Sequence, residues 1–329
     1  MTKRRIQAIA RAAACDACVT RIICSLLLPW IVIGTAYAGF DEGRDALEKG
    51  DYATALIELQ PLADQGHPAA QVLLGEMYLT GRGTSPDERQ ALEWFRKAAA
   101  QGEAIAQDNL GVMYHGGRGG LAQDDGQAAQ WFRKAAEQGY APGEHDLANM
   151  YLNGSGVPQD DGQAVAWYRK AAEQGYPPAE HNLGFSYFNG RGVPQDDRQA
   201  VEWYRRAAAQ GFAASQNNLG VMYQNGRGGL PQDDQQAVDW YRSAAEQGIA
   251  DAQVNLGNLY LNGRGVPRDA VLAYMLFSLA AASGNKAAAD DRASVVQGLS
   301  LKQIEKANEL AKMWAPGTPL PRHGDVTSK

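Results

Sequence analysis

The feature that most constrains this chain is a short string that recurs six times. The string starts at residues 80, 116, 153, 189, 225 and 262, and its fullest form is NGRGVPQDD at residues 189–197. Successive copies lie 36 or 37 residues apart, and each longer step follows a copy that reads RGGL. A period of this size is typical of solenoids built from stacked supersecondary units. The sequence therefore predicts one repeat array, although 329 residues would ordinarily suggest two globular domains.

Each repeat reads as a pair of antiparallel helices around the recurring string. Before the string, Ala70 and Leu74 fall at i and i+4, and after it Ala91, Trp94 and Phe95 fall at i, i+3 and i+4. Both patterns are amphipathic helical stripes. The string itself reads as the connection, because glycine ends a helix readily, proline prevents its continuation, and aspartate caps the next helix. The paired carboxylates of the string are therefore predicted to be helix caps and not a catalytic or metal site.

Comparison of the six copies separates constant positions from variable ones. The residue after the constant leucine is glycine in five copies and Ala148 in the third. Glycine inside a helix costs about 1 kcal/mol relative to alanine, so its recurrence indicates the close approach of a neighbouring helix. The constant packing columns are Leu74, Leu110, Leu147, Leu183, Leu219 and Leu256, then Tyr78, Tyr114, Tyr151, Tyr187, Tyr223 and Tyr260, and on the second helix Trp94, Trp131, Trp167, Trp203 and Trp240.

The amino terminus reads as an export signal. Five basic residues precede the apolar run at residues 22–33, and AYA at residues 36–38 supplies the small residues of a cleavage site. We therefore expect a signal peptide over residues 1–38, cleavage after Ala38, and a periplasmic or secreted protein. The apolar run is shorter than the roughly 20 residues that a membrane helix needs, so membrane attachment is expected only if the signal stays uncleaved as an anchor.

Charge and cysteine usage limit the partners and the chemistry. The formal net charge is −6, and without residues 1–38 the chain carries 26 basic and 36 acidic residues, which argues against nucleic acid as a partner. The three cysteines, at positions 15, 18 and 24, all lie in the expected signal, so no disulfide, redox or zinc role is predicted. His145 and His181 occupy equivalent positions in adjacent repeats but have no third ligand. No metal and no cofactor are therefore predicted.

The repeats resemble those of the Sel1-like family, relatives of the tetratricopeptide repeat. The resemblance rests on the first-helix pattern LGxxY, the GRGVPQDD connection and the second-helix pattern AxxWYRKAAEQG, and it covers about residues 40–284. It implies an all-α, right-handed α/α superhelical solenoid that serves as an interaction scaffold for a protein partner. Some secreted members of the family have a disulfide in each repeat and are described as binding or hydrolysing β-lactams. This chain has no cysteine beyond residue 24, so that activity is not carried over.

The array is predicted to have distinct ends. Residues 39–66 read as an entry half-repeat, in which Gly50 closes one helix and Asp51 caps the next. The second helix of the last repeat is apolar where earlier ones are polar, and capping helices over residues 285–314 are expected to cover it. Prolines at 316, 319 and 321 predict a disordered tail over residues 315–329. The six repeats are placed at 67–102, 103–139, 140–175, 176–211, 212–248 and 249–284.

The candidate binding surface comes from three variable columns on the first helices. Counting 3.6 residues per turn, positions 72, 76 and 79 point away from Leu74 and Tyr78. In related superhelices the first helices line a concave groove, so the resemblance places the ligand there. Repeat four is the strongest candidate, because it carries Phe185 and Phe188 and exposed aromatic residues often anchor interfaces. The predicted binding residues are Asp108, Val112, His115, His145, Asn149, His181, Phe185, Phe188, Asn217, Val221 and Gln224. Drift at exposed positions would also produce this variability, and Phe188 could pack under the following loop.

Two other functional classes stay open on the sequence. An envelope polysaccharide or peptidoglycan could bind the tyrosine and arginine columns. An acylating serine enzyme would need Ser-x-x-Lys, which SGNK at residues 283–286 matches, but the companion SDN and KTG strings are absent from the sequence. The sequence therefore favours a protein-binding scaffold without enzymatic activity.

Overall fold

The computed structural model describes residues 39–323 of the chain. The expected signal peptide, residues 1–38, and the last six residues lie outside this range. The described residues divide into two compact units, with the boundary between Ala135 and Ala136. Every regular element from 39 to 323 is helical, and consecutive helices pack in pairs. The prediction of an all-α solenoid of helix pairs is confirmed. Within residues 39–323, no helix has both the length and the apolar character needed to cross a membrane.

The helices follow the sequence periodicity closely. The first unit holds most of six helices: α1 (39–48), α2 (Tyr52–Asp64), α3 (Pro68–Thr80), α4 (Glu88–Ala100), α5 (Ala104–Gly116) and α6 (Asp125–Glu137). The second unit holds ten more: α7 (Ala141–Asn153), α8 (Asp161–Glu173), α9 (Pro177–Asn189), α10 (Asp197–Ala209), α11 (Ala213–Asn225), α12 (Asp234–Ala245), α13 (Ala250–Asn262), α14 (Ala270–Ala282), α15 (Lys286–Val296) and α16 (Leu301–Met313).

The connection in repeat four shows what the recurring string does. Gly190 ends α9 with φ +69°, a conformation that glycine adopts without strain. Asp196 is the N-cap of α10, and its carboxylate accepts hydrogen bonds from the backbone N–H groups of Arg198 and Gln199. The first carboxylate of the pair is therefore a helix cap, as predicted.

The second carboxylate joins one repeat to the next. Asp197 accepts two hydrogen bonds from the Arg227 guanidinium of the following connection, at 2.8 and 2.9 Å. Pairs with the same spacing of 30 residues are Arg118–Glu88, Arg191–Asp161 and Arg264–Asp234. The third connection has Ser155 in place of arginine, and Asp125 pairs with His115 of its own repeat at 2.7 Å. The recurring arginine thus links its own repeat to the preceding one through an ion pair.

The glycine column marks where two helices come closest. Gly220 lies in α11 directly over the ring of Tyr241 in α12, and a Cβ added at Gly220 would lie 2.5 Å from that ring. The Tyr241 side chain is fully buried, so it has little room to move away. The group that comes close to the repeated glycine is therefore an aromatic ring on the second helix of the same repeat.

The last repeat is closed by the helices that follow it. α14 buries side chains around its whole circumference, including Leu272, Met275 and Leu276. Both α15 and α16 pack against α14, and Val295 and Ala307 are buried there. A helix that is apolar all round needs such partners on every side.

The prediction of a disordered tail is wrong for residues 315–323. Leu320 is only 5% exposed and packs against the last repeat, and Arg242 donates a hydrogen bond to its carbonyl oxygen at 3.1 Å. The prolines that suggested disorder hold this segment extended, while one apolar side chain among them anchors it. Residues 324–329 of the predicted tail lie outside the described residues.

One buried column contains both amides and carboxylates. Glutamines occupy it in four repeats, and three of them, Gln71, Gln216 and Gln253, donate to the carbonyl oxygen eight residues earlier. Glu144 and Glu180 occupy it in repeats three and four, and both are buried. Arg206 pairs with Glu180 at 2.9 Å and donates to the Ala172 carbonyl, which replaces the missing amide.

The Glu144 carboxylate has weaker partners than the Glu180 carboxylate. Its carboxylate accepts a hydrogen bond from the Gln174 amide at 2.7 Å. The equivalent of Arg206 is Lys170, whose ammonium lies 3.6 Å from the centre of the Trp167 ring. Burial raises the pKa of Glu144, with the charge of Lys170 acting in the opposite direction. Repeat three therefore carries a buried carboxyl group that is costly to ionise.

We expect Glu144→Gln to stabilise the protein by about 1 kcal/mol at pH 7, because a neutral amide replaces a buried charge. The raised pKa means that the folded chain binds the proton more tightly than the unfolded chain. Wild-type stability is therefore lost as the pH rises above the ordinary carboxyl pKa of 4.5. The advantage of the variant should shrink between pH 7 and pH 4.5, as measured by thermal unfolding. Burial raises the pKa of Glu180 as well, against the charge of Arg206, but Glu180→Gln also breaks the pair with Arg206. This matched control should therefore give less stabilisation at pH 7 than Glu144→Gln does.

Candidate functional site

The first of the three variable columns does not face solvent. Val72 and Asp108 are buried, and His145, His181 and Asn217 are largely enclosed. The prediction that this column is exposed is wrong. A helical count places position 72 opposite Leu74, but the first helix of a repeat packs against its own second helix and also against neighbouring repeats. Val72 packs with Phe95 of its own repeat and with Leu110 of the next. The strip that remains open is therefore narrower than one helix in isolation would offer.

The two predicted histidines lie between consecutive repeats. The His181 ring packs against Tyr204 and Phe212, and its Nδ1 lies 2.9 Å from the Ser215 hydroxyl. Burial lowers the pKa of His181 to about 4, so the ring is neutral at ordinary pH. His145 makes the equivalent contacts and lies 3.1 Å from the Asn182 amide. Both histidines hold repeats together and do not present their rings to a partner.

The predicted polar residues of the second unit also bond within the array. Asn149 accepts a hydrogen bond from the Tyr168 hydroxyl, and Gln224 accepts one from the Tyr241 hydroxyl at 2.8 Å. Asn217 accepts one from the Asn255 amide at 3.1 Å. These side chains satisfy buried phenols and amides of their neighbours. Their amides therefore have a structural role, within a repeat for Asn149 and Gln224 and between repeats for Asn217.

Phe185 and Phe188 form the open part of the predicted surface. Phe185 is 47% exposed on α9, and together with Phe188 it borders a cavity of about 100 Å³. Val221 of α11, in the next repeat, also lines this cavity. We call Phe185, Phe188 and Val221 the repeat-four patch. The volume matches a single aliphatic or aromatic side chain, and the lining is largely apolar.

The position of Phe188 is set by the next connection. The Arg227 guanidinium lies 4.2 Å from the centre of the Phe188 ring, while the same group is held by both carboxylate oxygens of Asp197. Such a cation over an aromatic face contributes about 0.5–1 kcal/mol where it is exposed. Phe188 therefore packs beside the following loop and still borders the cavity. The patch is organised before any partner arrives.

In the first unit, the predicted residues Val112 and His115 are exposed. Val112 is one of few large apolar side chains that are exposed in the described residues, as is Phe185 at the equivalent position of repeat four. His115 pairs with Asp125 at 2.7 Å. The second variable column is thus the one that carries exposed apolar side chains in both units.

The cavity also has walls that the sequence did not indicate. Tyr204, Asn218 and Met222 line it, and none of them lies in the three variable columns. Burial raises the pKa of Tyr204 far above the usual range, so its phenol stays neutral. Their proximity to Phe185 depends on helix packing, with Tyr204 on the second helix of the same repeat and Asn218 and Met222 in the next repeat, so no sequence pattern indicates it.

The comparison with protein families agrees with this repeat geometry. The model described as Sel1 repeat matches six segments, at residues 68–103, 104–140, 141–176, 177–212, 213–249 and 250–285. The chain belongs to the Sel1 repeat family. Sel1 repeat proteins are in general scaffolds for protein interaction, and their solenoid fold is typically non-enzymatic.

Solved structures of other Sel1 repeat proteins are similar to this chain. A Sel1 repeat protein from Oxalobacter formigenes shares 32% identity, with a TM-score of 0.67 over 74% of this chain and 96% of its own. A protective antigen of uropathogenic Escherichia coli with an SLR fold shares 31% identity, with a TM-score of 0.39 over 86% of this chain and 76% of its own. No curated protein matches the chain.

The features that suggested other chemistry have structural roles. The Ser283 hydroxyl donates to the Leu279 carbonyl at the end of α14, and Lys286 begins α15. On the tryptophan column, a lysine ammonium lies 3.6–3.8 Å from the ring centres of Trp94, Trp131 and Trp167. These ring faces are occupied by cations of the Sel1 repeat itself.

Proposed function

We propose that this Sel1 repeat protein is an exported scaffold that binds a protein partner on the first-helix face, centred on the repeat-four patch. The observation that carries the proposal is the cavity between Phe185, Phe188 and Val221. Solvent-exposed aromatic side chains beside a pocket are the usual anchors of protein interfaces. The rim is held rigid by the Arg227–Asp197 pair, so little ordering is needed on binding.

The chemistry of the patch favours a protein over a polysaccharide. Sugar binding would use open aromatic faces surrounded by hydrogen-bonding groups, whereas the Phe185 cavity is mostly apolar. Tyrosines of the constant column, which could bind glycan, instead accept hydrogen bonds from arginines of the second helices. Examples are Arg169–Tyr187 at 2.9 Å and Arg205–Tyr223 at 3.2 Å. An apolar side chain of a partner protein fits the patch better than a sugar ring does.

Two parallel assays test the class of partner. Tagged full-length protein is used to capture proteins from an envelope extract, and the same protein is sedimented with purified cell wall. The proposal expects a discrete captured protein and no sedimentation above that of an unrelated acidic protein. Saturable sedimentation with the cell wall, with no specific captured protein, would contradict it.

Export is proposed from the basic leader, the apolar run and the AYA string at residues 36–38. We expect the mature chain recovered from the periplasm or the medium to begin near Gly39, because the small residues at 36 and 38 suit a signal peptidase. Amino-terminal sequencing gives the answer directly. A chain that retains residues 1–38 and fractionates with membranes would show an uncleaved anchor instead.

A further inference from the structure

The carboxyl-terminal segment, residues 315–323, lies across α12, α13 and α14 in the manner of a bound peptide. After a turn at Gly317 the chain runs extended, and Leu320 alone among its side chains is fully enclosed. We call the space that receives Leu320 the Leu320 slot. It is lined by Leu256, Tyr260, Leu272, Met275 and Leu276.

Hydrogen bonds to backbone atoms fix the segment in this position. The Leu320 N–H donates to the Glu246 carboxylate at 3.0 Å, and Arg242 donates to the Leu320 carbonyl at 3.1 Å. The Gly317 N–H donates to the Glu246 carbonyl oxygen at 2.7 Å. Recognition of backbone groups together with one apolar side chain is how proteins bind extended peptides. Pro319 and Pro321 flank the leucine and keep the chain extended in advance, which lowers the entropy lost on docking.

The polar side of the slot does not depend on the segment for its shape. Arg242 donates to the Tyr260 hydroxyl, and the same arginine–tyrosine pair forms in earlier repeats as Arg169–Tyr187 and Arg205–Tyr223. The arginines of those pairs lie on second helices of earlier repeats, where the segment makes no contact with them. The repeat architecture therefore orients the guanidinium, and a peptide meets a prepared donor.

The apolar side of the slot is specific to the last repeat. Leu272, Met275 and Leu276 of α14 stand where α12 has Gln236, Asp239 and Trp240. A guanidinium beside an all-apolar floor thus occurs at this junction, whereas the equivalent floor of the preceding repeat includes the polar residues Gln236 and Asp239. A site for leucine is therefore expected at this junction and not at every repeat of the array.

We expect release of the segment to leave the array folded, because other side chains also cover the last repeat. The segment follows α16, and α15 and α16 pack on α14 through side chains such as Val295 and Ala307 in addition to Leu320. Its further side-chain contacts include His323 with Asp269 at 2.7 Å. A docked segment of this kind competes with other peptides as a tethered ligand, at an effective concentration of about 1 mM.

We propose that the Leu320 slot is a binding site for an extended, proline-flanked leucine segment of a partner protein, and that the carboxyl-terminal segment is its resident competitor. Glu246 selects a backbone N–H at the leucine, and Asp269 selects a basic residue three positions later, as His323 shows. The slot lies on α12–α14 and shares no residue with the repeat-four patch, so it stands or falls independently of the proposed function.

The test uses the full chain and a labelled synthetic peptide of residues 315–323, APGTPLPRH. Leu320→Asp should release the segment, because a carboxylate cannot enter the apolar slot without a large cost. We expect the variant to bind the peptide at least tenfold more tightly than the wild type does, measured by fluorescence anisotropy. A peptide with aspartate at the leucine position should bind neither protein. Circular dichroism of the variant should match that of the wild type.

Two further variants locate the binding. In the Leu320→Asp background, Arg242→Ala should remove peptide binding, while Arg205→Ala, the equivalent arginine one repeat earlier, should leave it unchanged. A folded Leu320→Asp protein that does not bind the peptide would overturn the proposal, as would equal binding by the wild type. If light scattering shows a wild-type dimer that the variant lacks, the slot receives the segment of a second copy and the proposal is also wrong.

Discussion

Gly192→Ala is expected to destabilise the protein by about 3 kcal/mol, because two costs coincide at this position. Gly192 has φ +73°, which costs an alanine roughly 1 kcal/mol or more. A Cβ would also lie 2.2 Å from the Asp161 carbonyl oxygen of the preceding repeat, and overpacking against backbone costs about 1–3 kcal/mol more. Neither group can move easily, because Arg191 ties the same connection to the Asp161 carboxylate. Urea unfolding followed by circular dichroism measures the loss.

Gly211→Ala is the matched control for this prediction. Gly211 has φ +87°, but nothing lies within 4 Å of the position that its Cβ would take. It should therefore lose only the conformational part, about 1 kcal/mol. The difference between the two variants isolates the contact between the connection and the preceding repeat. Equal losses for both glycines would show that this contact does not contribute to stability.

Much of the local structure could be predicted from the repeats alone. The six copies act as an internal alignment, so the constant Leu and Tyr columns, the glycine that ends each first helix and the Asp196 cap followed from chemistry within a few residues. The glycine column correctly indicated a close approach. The aromatic ring that fills the space, such as Tyr241 beneath Gly220, is also a repeated position of the second helix.

What could not be predicted depends on neighbours beyond one repeat. His181 reads as exposed from helical counting, but Tyr204 and Phe212 enclose it from the same repeat and its boundary with the next. The second acidic residue of a connection reads as another cap, whereas Asp197 meets Arg227 30 residues later. A helical wheel contains no information on either contact.

The docking of the carboxyl-terminal segment likewise could not be predicted from local sequence. Its prolines are common in disordered tails, and nothing local distinguishes Leu320 from an exposed leucine. The apolar face of the last repeat did indicate that something must cover it, and α16 does cover part of it. The remaining part, at Leu272 and Met275, receives Leu320.

The combined variant Phe185→Ala with Phe188→Ala is expected to weaken partner binding about 30-fold or more. Interface aromatic anchors typically cost at least 1–2 kcal/mol each when truncated, and every 1.4 kcal/mol is tenfold in affinity. The fold should survive, because Phe185 is half exposed and the fully buried packing of repeat four rests on other residues, such as Leu183 and Tyr204.

Leu301→Ser is the matched control for the patch. Leu301 is 79% exposed at the start of α16, so the substitution removes an exposed apolar side chain of similar character away from the first-helix face. Any loss of binding that comes from removing a nonspecific apolar contact should appear in this variant too. Loss of a specific interface at repeat four should not appear in it.

The most direct measurement is the affinity of the captured partner for three full-length proteins: the wild type, the Phe185→Ala and Phe188→Ala double variant, and Leu301→Ser. If the repeat-four patch is the binding site, the wild type and Leu301→Ser bind with equal affinity, and the double variant binds about 30-fold more weakly with unchanged helical content. Wild-type affinity in a folded double variant would contradict the account.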